Sequence, residues 1–303
     1  MVNWWLRAIL SILLWPGLLA GAVFGWFLLW MSRKFIAQLQ GRQGPPFYQP
    51  FFDFWKLVGK KTIIPKGVNR FMFFALPVIS LVSVVLALAL LPVPGGSAIS
   101  FEGDLVVLIY LLEMPPLMDI LAGYVTRSVY AQVGATREAL LSLAYNLPFL
   151  SALIALALRL KTLQLSNFST APISIATVVV AAALFLALLA QLKVNPFSIP
   201  NAEQEIVAGT YIEYNGLPLA LFELTHALEL STLVGLIACL FMGPFASIWL
   251  KLLIFLLVAA VVIVMVNVVA AGTARLKVQH AFRFYWTWGV AASVLVFVVA
   301  LLF

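Results

Sequence analysis

Residues 247–271 read SIWLKLLIFLLVAAVVIVMVNVVAA, and Lys251 is the only charge in the run. About 20 apolar residues in helical form cross about 30 Å of hydrocarbon, so Ser247–Ala271 predicts a membrane span. Working outward, the same reading finds seven more: Leu6–Met31, Phe71–Leu91, Leu105–Tyr124, Ala135–Leu158, Pro172–Leu192, Leu219–Met242 and Phe284–Phe303. The expected fold is all-α, a polytopic membrane protein of about eight transmembrane helices. Composition agrees: 64% of the 303 residues are hydrophobic and 10% charged, against about 25% charged in soluble domains. The first run is too long for a signal-peptide core and continues into Arg33-Lys34, so it reads as a retained helix. Residues 1–303 are expected to form a single transmembrane domain with long loops near 32–69 and 193–218.

Charge sets the expected orientation. Fourteen of the 18 basic residues fall in the loops after spans one, three, five and seven, leaving Arg7, Arg159, Lys161 and Lys251 on the other side. Basic loops stay in the cytoplasm, which puts both termini outside a prokaryotic cell membrane. The net charge of +7 is therefore read as a topology signal, and nucleic acid is set aside as a partner. A single cysteine, Cys239, excludes a disulfide framework, a cysteine-ligated zinc and an iron–sulfur cluster in this chain. No nucleophile–base set or phosphate loop is present, so catalysis by the chain alone is not expected.

The first long loop holds Pro50-Phe51-Phe52-Asp53-Phe54-Trp55-Lys56-Leu57-Val58-Gly59-Lys60-Lys61, aromatic and aliphatic residues set against lysines. This predicts an interfacial amphipathic helix on the bilayer, serving either as a lipid-held anchor or as a partner dock. Pro16, Pro77, Pro115-Pro116 and Pro148 interrupt spans and free backbone carbonyls there.

Charges inside a span are expensive and ask for a reason. Glu113, Asp119, Glu138, Glu223 and Glu229 qualify, with His226 between the last two. Together they suggest a hydrophilic path. Glu113 lies beside the Pro115-Pro116 break, and Asp119 follows six residues on. Glu138, Ser142 and Asn146 recur at i, i+4 and i+8, forming one polar stripe that serves either proton transfer or helix–helix adhesion. Glu223 reads equally as a wet carboxylate in a first helical turn. His226 has no second histidine at helical spacing, so no metal site is expected, and a hydrogen-bonded buried role stands ahead of proton transfer.

The second long loop reads Asn195-Pro196-Phe197-Ser198-Ile199-Pro200-Asn201-Ala202-Glu203-Gln204-Glu205, then Gly209 and Glu213-Tyr214-Asn215-Gly216. This resembles the P-F-D-[IL]-x-E-A-E-Q-E-L…G…x-E-Y-[SN]-G signature of the complex I H-subunit family. Gly41-Arg42-Gln43-Gly44-Pro45-Pro46 is similar to the family's x-R-x-G-P turn, and the resemblance covers nearly the whole chain. Gly134-Ala135-Thr136-Arg137-Glu138-Ala139 is closer to the G-A-x-R-E-A of membrane-bound group 4 hydrogenases and related ferredoxin-driven complexes.

The resemblance implies a membrane-arm subunit of a redox-driven, ion-pumping respiratory complex, non-catalytic by itself. It would anchor the hydrophilic redox module and couple electron transfer to proton transport. By matching position, Glu203, Glu205 and Glu213 take the acidic loop places, and Arg42, Gly44, Pro45 and Arg137 the module-facing ones. No cofactor is implied in this chain. Iron–sulfur clusters, and a NiFe centre as a further candidate, would belong to partner subunits. Partners would be hydrophilic iron–sulfur and hydrogenase-like subunits, other membrane-arm subunits including antiporter-like ones, and the lipid bilayer. Ser198, Asn201 and Asn146 stand where the family carries Asp, Glu and Glu, so Glu113 and Asp119 are candidates to replace the missing carboxylate of the fourth span. A purely structural anchor, a quinone-chamber subunit and a stand-alone transporter are the alternatives.

Overall fold

The computed structural model of the chain describes residues 10–245 and 247–302, with the side chain of Glu203 outside the described set. Arg7 and the first residues of the Leu6–Met31 run lie outside it too. All regular structure among the described residues is helical. In chain order the helices are α1 (Leu18–Leu39), α2 (Gln49–Val58), α3 (Arg70–Leu90), α4 (Asp104–Val125), α5 (Val129–Leu160) and α6 (Leu165–Thr170). They continue with α7 (Ile175–Gln191), α8 (Glu203–Ile206), α9 (Gly216–Leu240), α10 (Ile248–Gly272) and α11 (Val278–Leu302), the last passing through a π-helical turn at Tyr285–Gly289. Seven segments among the described residues are long and apolar enough to cross a membrane, and α7 is a shorter apolar helix. The eight expected spans are thus all present as helices.

Their limits differ from the hydropathy reading in instructive places. The first apolar segment breaks at residues 14–17 around Pro16, and α1 then runs past Met31 through Arg33 and Lys34 to Leu39. Long basic side chains can continue a helix beyond the apolar layer because their stems cover apolar surface while their heads reach water. At its start α5 takes in Val129 to Gly134, so Arg137 and Glu138 lie inside the helix rather than at its mouth. Local chemistry starts two helices: the Asn69 side chain accepts the N–H groups of Phe71 and Met72, and Ser174 forms a capping box with Thr177. Pro77, Pro115, Pro116 and Pro148 all lie inside unbroken helices.

The central helix is α9, packed by α1, α2, α3, α7 and α10, with every residue from Ala227 to Leu240 buried. A helix apolar on all sides is a buried one. Close approach of α1 depends on Gly25, where a Cβ would lie 2.1 Å from the Ala227 carbonyl oxygen. Around α9, α3 packs on α4, α4 on α5, α5 on α7 and α11, and α10 on α1. Leu253, Leu257, Val261 and Val268 of α10 point outward, as a lipid-facing surface requires.

The two long loops meet at one end of the bundle. Asn215 Oδ1 accepts the Ile63 N–H at 2.7 Å and Nδ2 donates to the Ile63 carbonyl at 2.8 Å. Beside them Tyr214 stacks on Phe73 of α3, with ring centroids 4.4 Å apart. Helix α2 sits against α1 through Trp26, which contacts Phe51 and Phe54, while Phe52 and Trp55 remain exposed.

Candidate functional site

A buried salt-bridge cluster lies among α4, α5, α7 and α9. Asp119 of α4 sits one turn past Pro116. A proline gives no N–H to the carbonyl four residues earlier, which here is Leu112 O, and the Gln191 side chain at the end of α7 donates to that oxygen at 3.1 Å. The helix therefore stays whole while Gln191, 1% exposed, is drawn inward. Two residues on, at a left-handed backbone position (φ 53°), Lys193 turns its side chain back into the bundle. Its Nζ lies 2.5 Å from Asp119 Oδ2 and 3.4 Å from Glu138 Oε1, and the three side chains are 9%, 6% and 1% exposed.

Burial alone would push the Lys193 ammonium toward its neutral form. The carboxylates of Asp119 and Glu138 outweigh that and hold its pKa well above the ordinary lysine value. Tyr211 lies over the same ammonium, 5.8 Å from ring centroid to Nζ. Its phenol is held well above the usual range by burial and by Asp119, to which it hydrogen-bonds. A lysine cation and a neutral tyrosine therefore flank Asp119 at physiological pH.

Glu229 of α9, 5% exposed, completes the cluster: it lies beside Gln191 and within electrostatic range of Lys193, Asp119 and Glu138. Tyr145 of α5, fully buried, is within range of Glu138, Glu113 and Glu229 at once. Glu113 itself pairs with α5, where Asn146 Nδ2 donates to its Oε2 at 2.8 Å. Several buried atoms of this group have no hydrogen-bond partner among the described residues: Glu113 Oε1, both Glu138 carboxyl oxygens, Tyr145 Oη, Gln191 Oε1 and Glu229 Oε1. Each such atom costs about 1–3 kcal/mol if left unsatisfied. Elsewhere Ser151 bonds Ser293 at 2.9 Å, and Ser32 bonds Asn267 Oδ1 at 2.5 Å while the buried Asn267 Nδ2 has no partner among the described residues.

The acidic loop touches this cluster from the loop end of the bundle. Arg137 donates to Glu205 at 2.6 Å. Gly134, one turn earlier, lets the Gly209–Tyr211 turn lie against α5, since a Cβ there would be 2.8 Å from Thr210 N. The glycine of the Gly134-Ala135-Thr136-Arg137-Glu138 motif is thus a contact requirement that brings Tyr211 to Asp119. Glu213 is half-buried at the loop junction, and its carbonyl accepts from Asn215 Nδ2 at 3.3 Å.

Glu223 stands apart, exposed in a cleft of about 280 Å³ with Arg33, Asp53, Lys56 and Lys60. Arg33 pairs with Asp53 at 3.3 Å there. His226, one turn further along α9, feels both Lys193 and Arg33 and so bridges cleft and cluster. Of the turn around Gly41, Arg42 is exposed and bonds Gln40, Gly44 rests on Lys34, and the Pro45 carbonyl accepts Trp30 Nε1 at 3.1 Å.

Among the expected residues, the structure gathers Asp119, Glu138 and Glu229 directly, adds Glu113 through Tyr145, and places Glu205 at the rim and Glu223 outside. Lys193, Gln191, Tyr145 and Tyr211 are site residues that sequence reasoning misses. Lys193 follows an apolar run and reads from the sequence as a topology charge. No group of three or more His, Cys, Asp or Glu side chains among the described residues is placed to hold a metal ion.

The family model described as NADH dehydrogenase (NADHdh) matches residues 11–301. The NADH-quinone oxidoreductase H subunit 2 of Syntrophobacter fumaroxidans is 29% identical over 283 residues, covering 86% of this chain and 85% of that one. The NADH-quinone oxidoreductase H subunit of Paramagnetospirillum magneticum is 31% identical, covering 86% and 82%. Among solved structures, a chain of the membrane-bound sulfane sulfur reductase, an archaeal respiratory membrane complex, superposes with a TM-score of 0.87 at 26% identity, over 99% of this chain and 100% of that one.

Proposed function

The chain belongs to the NADH dehydrogenase family as a membrane-arm subunit of a redox-driven complex, and on that premise we propose that its Lys193 cluster relays protons when the acidic loop moves. The observation that carries this reading is the position of one ammonium between two sealed carboxylates, 2.5 Å from Asp119 and 3.4 Å from Glu138. In a low-dielectric interior one cation balances one carboxylate, and any other must hold a proton or find a partner. Movement of Lys193 toward Glu138 would release a proton there and call one to Asp119. Lys193 is the first residue of the segment that carries Glu203, Glu205 and Glu213, so a displacement of that loop by a partner acts on the ammonium directly. Tyr145 links the cluster to Glu113, and Glu229 and His226 extend it along α9 toward the Glu223 cleft.

The unsatisfied oxygens favour this over plain helix adhesion. The Ser151–Ser293 contact in the same bundle is a closed pair, whereas Glu138 Oε2 has no hydrogen-bond partner among the described residues and its Oε1 meets only the Lys193 ammonium at 3.4 Å. Such atoms suit transient water contacts, which a proton path requires.

The same reading places the loops near 32–69 and 193–218 on the cytoplasmic side of a prokaryotic membrane, with both termini outside and α2 at the bilayer surface. Arg42, Gly44, Pro45 and Arg137 with Glu205 would face a hydrophilic module carrying iron–sulfur clusters. The Gly134–Ala139 motif and the likeness to a chain of a sulfane sulfur reductase complex favour a module of the hydrogenase and sulfur-reductase class over a quinone reductase. The test is proton uptake by the complex in sealed vesicles. Glu138→Gln is expected to abolish uptake per electron while assembly persists, and an unchanged ratio would overturn the reading.

A further inference from the structure

Helices α5 and α11 run side by side in the same direction, joined by the Ser151 Oγ to Ser293 Oγ hydrogen bond at 2.9 Å. About 12 Å further along, at the end of the bundle away from the long loops, they part around a cleft of about 230 Å³. Its walls are Ala155, Leu158, Arg159, Lys161, Phe297 and Leu301, with no carboxylate among its lining residues. The Nη1 of Arg159 is shielded from solvent and has no hydrogen-bond partner among the described residues. A guanidinium N–H cut off from both water and an acceptor is costly, while a phosphate satisfies it with paired, charge-assisted bonds. Lys161, at a left-handed backbone position (φ 51°) capping α5, adds a second cation at the same mouth.

Charge distribution sharpens the point. Of the four basic residues outside the loops after the odd-numbered spans, two share this cleft. The remaining walls are apolar, and Leu158 and Leu301 open outward. Two cations at the head of an apolar groove, at the level where spans end, match an amphiphile with an anionic head and an acyl tail.

We propose that this cleft binds an anionic phospholipid, its phosphate on Arg159 and Lys161 and its chain along Leu158, Phe297 and Leu301. The complex, stripped of lipid in neutral detergent, is titrated with dioctanoyl phosphatidylglycerol, dioctanoyl phosphatidylcholine or inorganic phosphate, and the adducts on this chain are weighed by native mass spectrometry. One tightly retained phosphatidylglycerol is expected. Lys161→Gln, an exposed change that leaves packing intact, should weaken it about fivefold, and Arg159→Gln at least about tenfold. Equal retention of both lipids would reduce the cleft to an acyl groove and overturn the proposal. So would inorganic phosphate binding as tightly as the lipid, or Lys161→Gln leaving retention unchanged. Loss of a neighbouring subunit rather than of lipid in Arg159→Gln would assign the guanidinium to a protein carboxylate instead.

Discussion

Asn146 Nδ2 donates to Glu113 Oε2 at 2.8 Å across the seam between α4 and α5. By the resemblance of the sequence motif, the amide would stand where the family has a carboxylate, and an amide cannot exchange a proton as an acid does. In this pair the carboxyl group is on α4, which makes Glu113 the candidate to replace it. Asn146→Glu would set two carboxyl groups face to face.

Glu113→Gln is expected to cut proton uptake per electron at least about tenfold, a barrier increase of about 1.4 kcal/mol, with the complex still assembled. Dye-reported uptake in vesicles, alongside the electron-transfer rate, checks it. Full uptake would remove Glu113 from the path. Asp119→Asn in the same assay tests the other replacement candidate.

Lys193→Met leaves Asp119 and Glu138 buried without their cation. Breaking a buried ion pair from one side costs about 3–5 kcal/mol, so the thermal midpoint of the complex in detergent should fall. Adding Asp119→Asn should recover part of the loss, because the uncompensated charge is then gone. Additive losses in the double variant would show that the two side chains are not coupled.

The pH dependence of that stabilisation follows from the raised pKa of Lys193. A basic group raised on folding contributes in full below its unfolded value, about 10.4, and loses its contribution only as pH climbs through the higher folded value. The midpoint difference between the native chain and Lys193→Met attributable to this group should thus stay level from about pH 8 to about pH 9. A steep decline in that window would mean that the ammonium is already deprotonating.

Asn215→Ala removes both hydrogen bonds to Ile63 and with them the tie between the two long loops. Each bond is worth about 0.5–1.5 kcal/mol. Hydrogen exchange at the Ile63 amide should rise about tenfold or more. Unchanged protection would mean that the Tyr214–Phe73 stack alone holds the junction.

Glu205→Gln separates structure from docking. Glu205 is 55% exposed against Arg137, so the pair contributes about 0–1 kcal/mol to stability, and the midpoint should hardly move. If Arg137 and Glu205 face the redox module, the variant should instead lose the hydrophilic subunits during purification in salt. Retention equal to the native complex would place the interface elsewhere on the loop.

The all-helical character and the positions of the apolar runs, about eight of them, were legible because hydropathy is a one-dimensional property: each run must match the bilayer wherever its neighbours lie. The family was legible from the acidic loop for a related reason, since Glu213-Tyr214-Asn215-Gly216 is contiguous. Span ends were less so, because Arg33 and Lys34 continue α1 once their stems cover apolar surface, which an average over residue types does not register.

The cluster was decided by tertiary packing. Asp119, Glu138 and Glu229 were visible singly as charges in apolar runs, yet their common cation, Lys193, looks from the sequence like any residue at a span's cytoplasmic end. Its role arises because a left-handed turn after α7 aims it inward, while Gln191 takes the carbonyl that Pro116 frees on α4. Likewise Glu223, one turn from His226 by sequence, faces an outer cleft. Electrostatic partnership depends on distance through a low-dielectric interior, and in a helical bundle those distances are set by which faces of which helices meet.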